Sequence, residues 1–305
     1  MSCCPVCNSV VTECAGGYRA TSKIFSCMER RACLACELHF ANPMPSAADL
    51  HEYNAAYFDN AHGGIAVHAE ETAFFSAIAT LRMAHVANYL SDSGVKVADV
   101  LEVGPGAGHF AAQWLKLHPN TNYRAIETDA NCHAALTTLG VRLMQPDERG
   151  AFDLVVLSHV LEHVSDPKGF LRGIIDLLKP GGVLFIEVPC NDWQHKTLDE
   201  PHLLFFDKKP MGILLESLSL VNVRLSYHGR LIEDLKRTGF AWNLMVKIRL
   251  RMIRWGFSGL FARQRQGMES VSSPLQRSII APFEAHLEQA HPAWWLRALA
   301  TKKKL

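Results

Sequence analysis

The sequence predicts an α/β fold built on a doubly wound, largely parallel sheet, and three observations carry that prediction. The first is an apolar run (Val97, Ala98, Val100, Leu101, Val103) interrupted by Glu102 and followed by glycines at every second position, Gly104, Gly106 and Gly108. A buried parallel strand that breaks into a glycine turn and then a helix brings backbone very close to a ligand. The second is the ordered series of further apolar runs, Asn122-Tyr-Arg-Ala-Ile126, Phe152-Asp-Leu-Val-Val-Leu157 and Val183-Leu-Phe-Ile-Glu-Val188. The third is size: 305 residues with 49% hydrophobic content can bury one α/β core and carry attachments.

From the start of the chain, cysteine usage is the first local signal. Cys4-Pro-Val-Cys7 and Cys33-Leu-Ala-Cys36 are two Cys-x-x-Cys knuckles. Four thiolates from two such turns can hold a tetrahedral zinc, which predicts a zinc-ribbon-like segment over 1–45 with Cys4, Cys7, Cys33 and Cys36 as ligands. The gap between the knuckles is long for a ribbon, and a hairpin near Gly16-Gly17 absorbs it. A disulfide framework and free buried thiols are the competing readings, and Cys3 and Cys27 are alternative ligands. The odd total of nine cysteines weighs against disulfides. Asn42-Pro-Met-Pro45 then opens a linker-and-helix region, 46–97, because two prolines discourage helix there. Within it Phe74, Ile78, Leu81, His85 and Tyr89 recur at helical spacing and predict one helix over 69–91. Arg82 and His85 on that helix read as a solvated charge and a core-edge histidine.

A dinucleotide fold would place its third glycine where this chain has His109. Acidic-x-Gly-x-Gly-x-Gly instead resembles motif I of the class I S-adenosylmethionine (SAM) methyltransferases. About two dozen residues on, the second strand ends in Glu127, where α/β sites use a carboxylate to accept hydrogen bonds from ribose hydroxyls. With "FDLVVLSHVLEHVSDP" and "LLKPGGVLFIEVP" coming next in order, residues 98–228 resemble the small-molecule members of that family. The resemblance implies a class I methyltransferase (Rossmann-like) doubly wound sheet with SAM as cofactor. It also implies Glu102, Gly104, Gly106, Gly108, Glu127 and Ser158 as cofactor-binding residues. The segment from Cys33 through Pro45, with Tyr53 and Tyr57, is similar to the front end of bacterial methyltransferases of polysaccharide and small-molecule biosynthesis. It differs from the sugar C-methyltransferases in the sequence after its cysteines, so the expected acceptor is a small-molecule or glycan hydroxyl.

Deprotonating a hydroxyl calls for a base near the transferring methyl. In Ser158-His159-Val-Leu-Glu162-His163 the spacings would put His159, Glu162 and His163 on one side of a helical turn. Ubiquinone O-methyltransferases and small-RNA 3′-end methyltransferases carry Glu-x-x-Glu-His here and bind a divalent cation. This chain has His-x-x-Glu-His, one carboxylate fewer. After the fifth strand comes Glu200-Pro-His202-Leu-Leu-Phe205-Phe206. In the family this segment lines the acceptor side. His202 is therefore the first candidate base, His159 the second, and His163 completes the catalytic set. Asn191, Asp192 and Trp193 are expected to wall the acceptor pocket, with His195 a weaker candidate.

Ser219–Tyr227 reads as a sixth strand, and the remainder, 229–305, reads as a basic helical extension. It holds 14 basic and 5 acidic residues, a net +9, against −3 for residues 1–97 (6 and 9) and −5 for 98–228 (11 and 16). Between 236 and 265 there is no acidic residue; Lys247, Arg251 and Arg254 share one helical face, and Met245, Ile248, Met252 and Trp255 another. Such helices rest on anionic membrane surfaces, hold acidic ligands, or pack on an acidic domain. No uncharged apolar run is long enough to span a bilayer and no secretory leader opens the sequence, so the expected location is cytoplasmic, with peripheral contact at the inner face of the membrane as a variant. The ribbon is nearly neutral and the fourth strand lacks an Asn-Pro-Pro-Tyr motif, so nucleic acid is not the expected partner. The alternatives are an RNA-modifying methyltransferase gripping through ribbon and tail, and a SAM-binding regulator without catalysis.

Overall fold

A computed structural model describes residues 3–62, 68–144, 150–237 and 239–304. The N-terminal strands β1 (Thr12–Gly17), β2 (Glu29–Cys33) and β3 (His39–Asn42) pair antiparallel. The helices α1 (Ala47–Ala55), α2 (Tyr57–His62) and α3 (Ala69–Ser93) come next. The expected helix over 69–91 is α3, which runs two residues further and stops at Gly94 in the left-handed conformation. Then β4 (Asp99–Val103), α4 (His109–Leu117), β5 (Asn122–Ile126), α5 (His133–Thr138) and β6 (Arg142–Leu143) alternate. They are followed by β7 (Phe152–Ser158), α6 (Pro167–Asp176) and β8 (Leu178–Pro189), then by the short β9 (Leu204–Phe205), α7 (Lys208–Glu216) and β10 (Leu220–Leu231). The chain closes with α8 (Ile232–Lys236), α9 (Phe240–Arg254), α10 (Pro274–Ile280), β11 (Glu288–Gln289) and β12 (Ala293–Lys302).

The central sheet has the order β11-β10-β12-β8-β7-β4-β5-β6. Strands β6, β5, β4, β7 and β8 are parallel neighbours, and β12 runs antiparallel to both β8 and β10. Side-chain alternation sorts the core onto two faces. Val100, Leu154, Val156 and Phe185 meet α3, α4 and α5 on one side. Leu101, Val155, Leu157 and Ile186 meet α6 and α7 on the other. The doubly wound sheet of the class I methyltransferase fold is thus present, with a mixed edge.

Two expectations about organisation change. Residues 229–305 do not form a helical extension: β10 continues to Leu231, and 293–302, including Trp294-Trp295-Leu-Arg-Ala-Leu, is β12, a strand inside the main sheet. The helical part is an insertion between β10 and β12, 232–292, which also carries the short edge strand β11. Strand β12 is buried on both faces, so it lacks the polar alternation that would mark it as a strand. Nor does the cysteine segment stand apart. Its sheet is completed by β9, with His39 opposite Phe205 and Phe40 opposite Leu204. Its apolar residues Val6, Phe25, Leu38 and Phe40 join the core that backs α6 and α7.

Candidate functional site

The glycine loop leaves β4 with left-handed backbone at all three glycines. At two of them the space is closed as well. A Cβ at Gly104 would stand 2.7 Å from Val160 Cγ2, and one at Gly108 would stand 2.7 Å from Leu139 Cδ1. Glu127, at the end of β5, lies against this loop: its Oε2 accepts from Gly106 N at 2.8 Å and its Oε1 from Asp129 N at 2.8 Å. Ser158 Oγ, at the end of β7, is buried and has no hydrogen-bond partner among the described residues. Glu102 lies within β4 itself. It is 3% exposed, accepts from Tyr123 Oη at 2.6 Å, and burial raises its carboxyl to about 7. The loop, Glu127 and Ser158 are therefore gathered at the carboxyl ends of the adjacent parallel strands β4, β5 and β7, while Glu102 is bonded to Tyr123 on the neighbouring strand.

The histidines fall into one cluster but not on one helical turn. His159 has left-handed backbone, φ 58°, and only Leu161–His163 form a short 3₁₀ turn. His159 bridges two buried carboxylates, with Nδ1 3.2 Å from Glu162 Oε1 and Nε2 3.3 Å from Glu187 Oε1. Burial favours its neutral form, but the two carboxylates raise its pKa above the usual histidine value. His163 is held by Pro201 O at 3.2 Å through Nδ1, and burial lowers it to about 4. Its ring packs edge-on against His202, with centroids 4.9 Å apart.

His202 is 6% exposed, and its Nδ1 lies 2.8 Å from Asp192 Oδ2. Burial alone would raise the Asp192 carboxyl; His202 and Lys196 (Nζ at 2.8 Å) instead hold it well below the usual carboxylate range. An Nδ1–H donated to that carboxylate leaves Nε2 as the free acceptor, the arrangement of a base oriented by an acid. The cysteine segment fixes this loop in place. Tyr18 Oη donates to His202 O at 2.8 Å, Arg19 binds the Asp199 carboxylate, and Ala41 N donates to Leu203 O at 2.8 Å. Trp193 is sandwiched between His39, ring centroids 4.6 Å apart, and the Arg30 guanidinium at 4.3 Å. His195 sits against Trp294 instead, away from the His202 ring.

The four cysteines converge as their spacing predicts. Cys4 and Cys36 Sγ are 3.5 Å apart, as are Cys7 and Cys33, and all four sulfurs lie within 4.8 Å of one another. A disulfide needs about 2.0 Å. Tetrahedral zinc with 2.3 Å bonds places sulfurs about 3.8 Å apart, so the set fits the metal. The Cys4–Cys36 contact lowers one thiol of the pair and raises the other, so the pair holds one thiolate more readily than two free thiols would. Cys3 and Cys27 are exposed and outside the cluster.

The sequence patterns do not announce the charged group beneath His159. Glu187, fully buried on β8, accepts from Arg82 Nε at 2.6 Å through Oε1 and from Arg297 Nε at 2.6 Å through Oε2. Arg82 is thus a paired, largely buried cation rather than a solvated one. One signal was available: Glu187 interrupts an otherwise apolar strand, and a charge in such a run needs a partner.

The sheet and glycine loop have the α/β architecture of the class I methyltransferase fold. Residues 75–225 match the family described as a methyltransferase domain, and the chain carries that domain. Its relatives include a ubiquinone biosynthesis O-methyltransferase of Rhodopseudomonas palustris, 31% identical over 108 residues, covering 32% of this chain and 43% of that protein. Methyltransferase str2 of Strobilurus tenacellus is 34% identical over 94 residues, covering 29% and 34%. The chain thus matches less than half the length of these relatives. Among solved structures, a SAM-dependent methyltransferase from Archaeoglobus fulgidus aligns over 81% of this chain and 98% of that one, at 15% identity and a TM-score of 0.47.

Proposed function

We propose that the protein transfers a methyl group from SAM to a hydroxyl of a small-molecule or glycan acceptor, with His202 as general base. The observation that carries this reading is the Asp192–His202 pair, buried and clamped by the cysteine segment on the side of the sheet edge where the acceptor is expected. Bound SAM supplies an electrophilic methyl on a sulfonium leaving group. The protein's tasks are then to hold the cofactor, exclude water and take one proton. Glu127 would exchange its contact with Gly106 N for the ribose diol, and Ser158 Oγ would gain a partner. His202 Nε2 would accept the acceptor's proton, with Asp192 stabilising the imidazolium.

Zinc held by Cys4, Cys7, Cys33 and Cys36 would be structural in this reading, since all four coordination positions are filled by protein. The RNA alternative loses support because the ribbon's arginines are engaged internally: Arg19 and Arg30 with Asp199, Arg31 with Glu29. Contact with an anionic membrane surface is supported by α9 and the turn after it, where Met245, Ile248 and Trp255 are 48%, 51% and 66% exposed beside Lys247 and Arg251. The apolar face, for which packing on the catalytic domain was one of the alternatives, is largely open; among the described residues of that helix Ile253 alone is deeply buried, against Ala73 and Ile279. In this reading the protein works in the cytoplasm and touches the inner face of the membrane. No helix among the described residues is long and apolar enough to cross a membrane.

A second reading makes Glu162, His163 and His202 a divalent-metal site. Their ligand atoms lie within 4.8 Å; Glu162 Oε1 already has His159 Nδ1 at 3.2 Å, while Glu162 Oε2 and His163 Nε2 are buried without hydrogen-bond partners among the described residues. The set differs from the expected one in having His202 in place of His159.

Two variants decide among these readings. His202→Ala should leave SAM affinity intact and cut turnover by about 10²–10⁴-fold. Loss of SAM affinity along with activity would make His202 structural, and a second metal equivalent that disappears in His163→Ala would favour the metal reading.

A further inference from the structure

Fourteen large hydrophobic side chains are exposed among the described residues, and six of them lie between 244 and 260, so the open apolar surface is concentrated on α9 and the turn after it. Leu244, Ile248 and Trp255 run along one line of the helix, and Lys247, Arg251 and Arg254 form the neighbouring row. Arg254 pairs with Glu70 of α3, while Lys247 and Arg251 are exposed and Arg251 lies over the Trp255 ring at 5.3 Å. A second copy of the chain docked here would set like rows of cations against each other. An anionic lipid surface neutralises them and takes the apolar row into its interface.

This surface flanks the site. Ile253 of α9 packs on Ala73 of α3. Phe283, late in the same insertion, has its ring centroid 6.1 Å from Trp242 of α9, 5.1 Å from Phe74 of α3 and 5.4 Å from Trp294 of β12. From Phe74 the ring contacts continue to Phe75 and on to His109, stacked at 5.5 Å where the glycine loop enters α4. From Trp294 they continue to His195, in the loop that carries Asp192 and leads to His202. The insertion therefore reaches the cofactor loop along one arm and the acceptor loop along the other. Beside each loop one large apolar side chain stays open, Phe75 at the glycine loop and Leu198 between His195 and His202.

We propose that the methyl acceptor is a membrane-borne amphiphile, whose hydroxyl-bearing head enters the site while its hydrocarbon tail stays in the bilayer on which α9 rests. This rests on the SAM-transfer reading above and names the acceptor's class within it. A water-soluble acceptor gains nothing from a site whose flank lies on a lipid surface. An amphiphile does, because its approach is confined to that surface and its tail never has to cross water. Phe75 and Leu198 give the emerging part of the tail apolar contacts at the mouth. The chemistry is unchanged: the hydroxyl oxygen bonds the methyl carbon as the carbon–sulfur bond breaks, the bonding pair stays on sulfur, and the proton passes to His202 Nε2.

The test uses the full chain, SAM carrying a tritiated methyl group, and chloroform–methanol and aqueous extracts of cells lacking the gene. Label should enter the chloroform-soluble extract and not the aqueous one. Vesicles of phosphatidylcholine with phosphatidylglycerol should sediment the protein, and phosphatidylcholine alone should retain it more weakly. Ile248→Ser combined with Trp255→Ser changes two exposed positions. The double variant should keep its SAM affinity, while vesicle binding and labelling of vesicle-borne acceptor both fall at least about tenfold. Dispersing the same acceptor in detergent should return its turnover to the wild-type level. His202→Ala should still bind the vesicles, so failure of the base assignment is seen apart from failure of the docking surface. The proposal is overturned by label in the aqueous extract alone, by vesicle binding indifferent to phosphatidylglycerol, or by undiminished labelling of vesicle-borne acceptor in the double variant. A loss that detergent does not reverse is structural and overturns it equally. Label in neither extract overturns the SAM-transfer reading and this proposal together.

Discussion

Replacing Glu187 by Gln changes one oxygen to an amide nitrogen and leaves two guanidinium groups without their shared counter-charge. The wild-type carboxylate contacts Arg82 Nη2 at 2.5 Å, Arg297 Nε at 2.6 Å and His159 Nε2 at 3.3 Å, and its side chain is fully buried. Burial by itself would raise this carboxyl, but Arg82 and Arg297 hold it well below its ordinary value of 4.5. Removing one partner of a buried ion pair costs about 3–5 kcal/mol, because the remaining charge stays desolvated. Arg82, 14% exposed, can turn partly toward water; Arg297, at 2%, cannot. The expected loss therefore sits on Arg297, and Glu187→Gln should lower stability by about 3–5 kcal/mol in urea melts. Adding Arg297→Met should recover at least about 1 kcal/mol, since the stranded charge is then gone. The pH dependence gives an independent check. A carboxylate depressed in the folded state contributes stability above its unfolded pKa, and that contribution is lost as pH falls below about 4.5. Glu187→Gln should remove this acid-sensitive component. A change under about 1 kcal/mol with an unaltered acid profile would refute the account of one carboxylate neutralising two buried guanidinium groups.

Glu102 has the opposite sign: its folded pKa is raised to about 7, so its stabilising contribution is full below pH 4.5 and declines as pH rises through 7. Glu102→Gln should be near neutral in thermal melts at pH 5 and stabilising at pH 8, and equal effects at both values would contradict the protonated acid. Freshly purified protein should carry about one zinc per chain by elemental analysis, and its removal should loosen the Asp199–Phe206 segment that the ribbon grips, seen as faster amide exchange at Leu203 and Phe205. Finding no zinc in unchelated protein would return the four cysteines to free thiols. Glu127→Ala should weaken SAM binding by about 1–3 kcal/mol in calorimetry, and unchanged affinity would remove it from the cofactor site. Asp192→Asn should cut turnover by about 10²-fold or more with SAM affinity retained, an outcome excluded if turnover is unaffected.

What could be read from the sequence divides along a physical line between local and long-range constraint. The glycine loop was legible because left-handed backbone and closed space at Gly104 and Gly108 leave no other residue type an equal fit, and that requirement sits within a few positions of the strand that creates it. The cysteine cluster was legible for a similar reason, since each knuckle is a local turn even though the two pairs meet across 26 to 32 residues. Strand β12 was not legible. Ala293-Trp-Trp-Leu-Arg-Ala-Leu-Ala300 is apolar on both faces because β8 and β10 flank it and helices cover it, so neither the period of a strand nor that of a helix survives. Its arginine looked like one more positive charge in a basic tail. In the fold Arg297 is the most buried cation among the described residues, paired to Glu187 across the β12–β8 register. The same confusion hid Asp192 as the partner of His202, ten residues away through a loop whose shape the ribbon imposes. The net charge of +9 over 229–305 therefore describes two different things: an insertion with exposed cations beside an open apolar face, and a buried arginine that orders one end of the sheet. Only the first can act on a surface at a distance, so salt should weaken any membrane contact while leaving the Arg297–Glu187 pair intact.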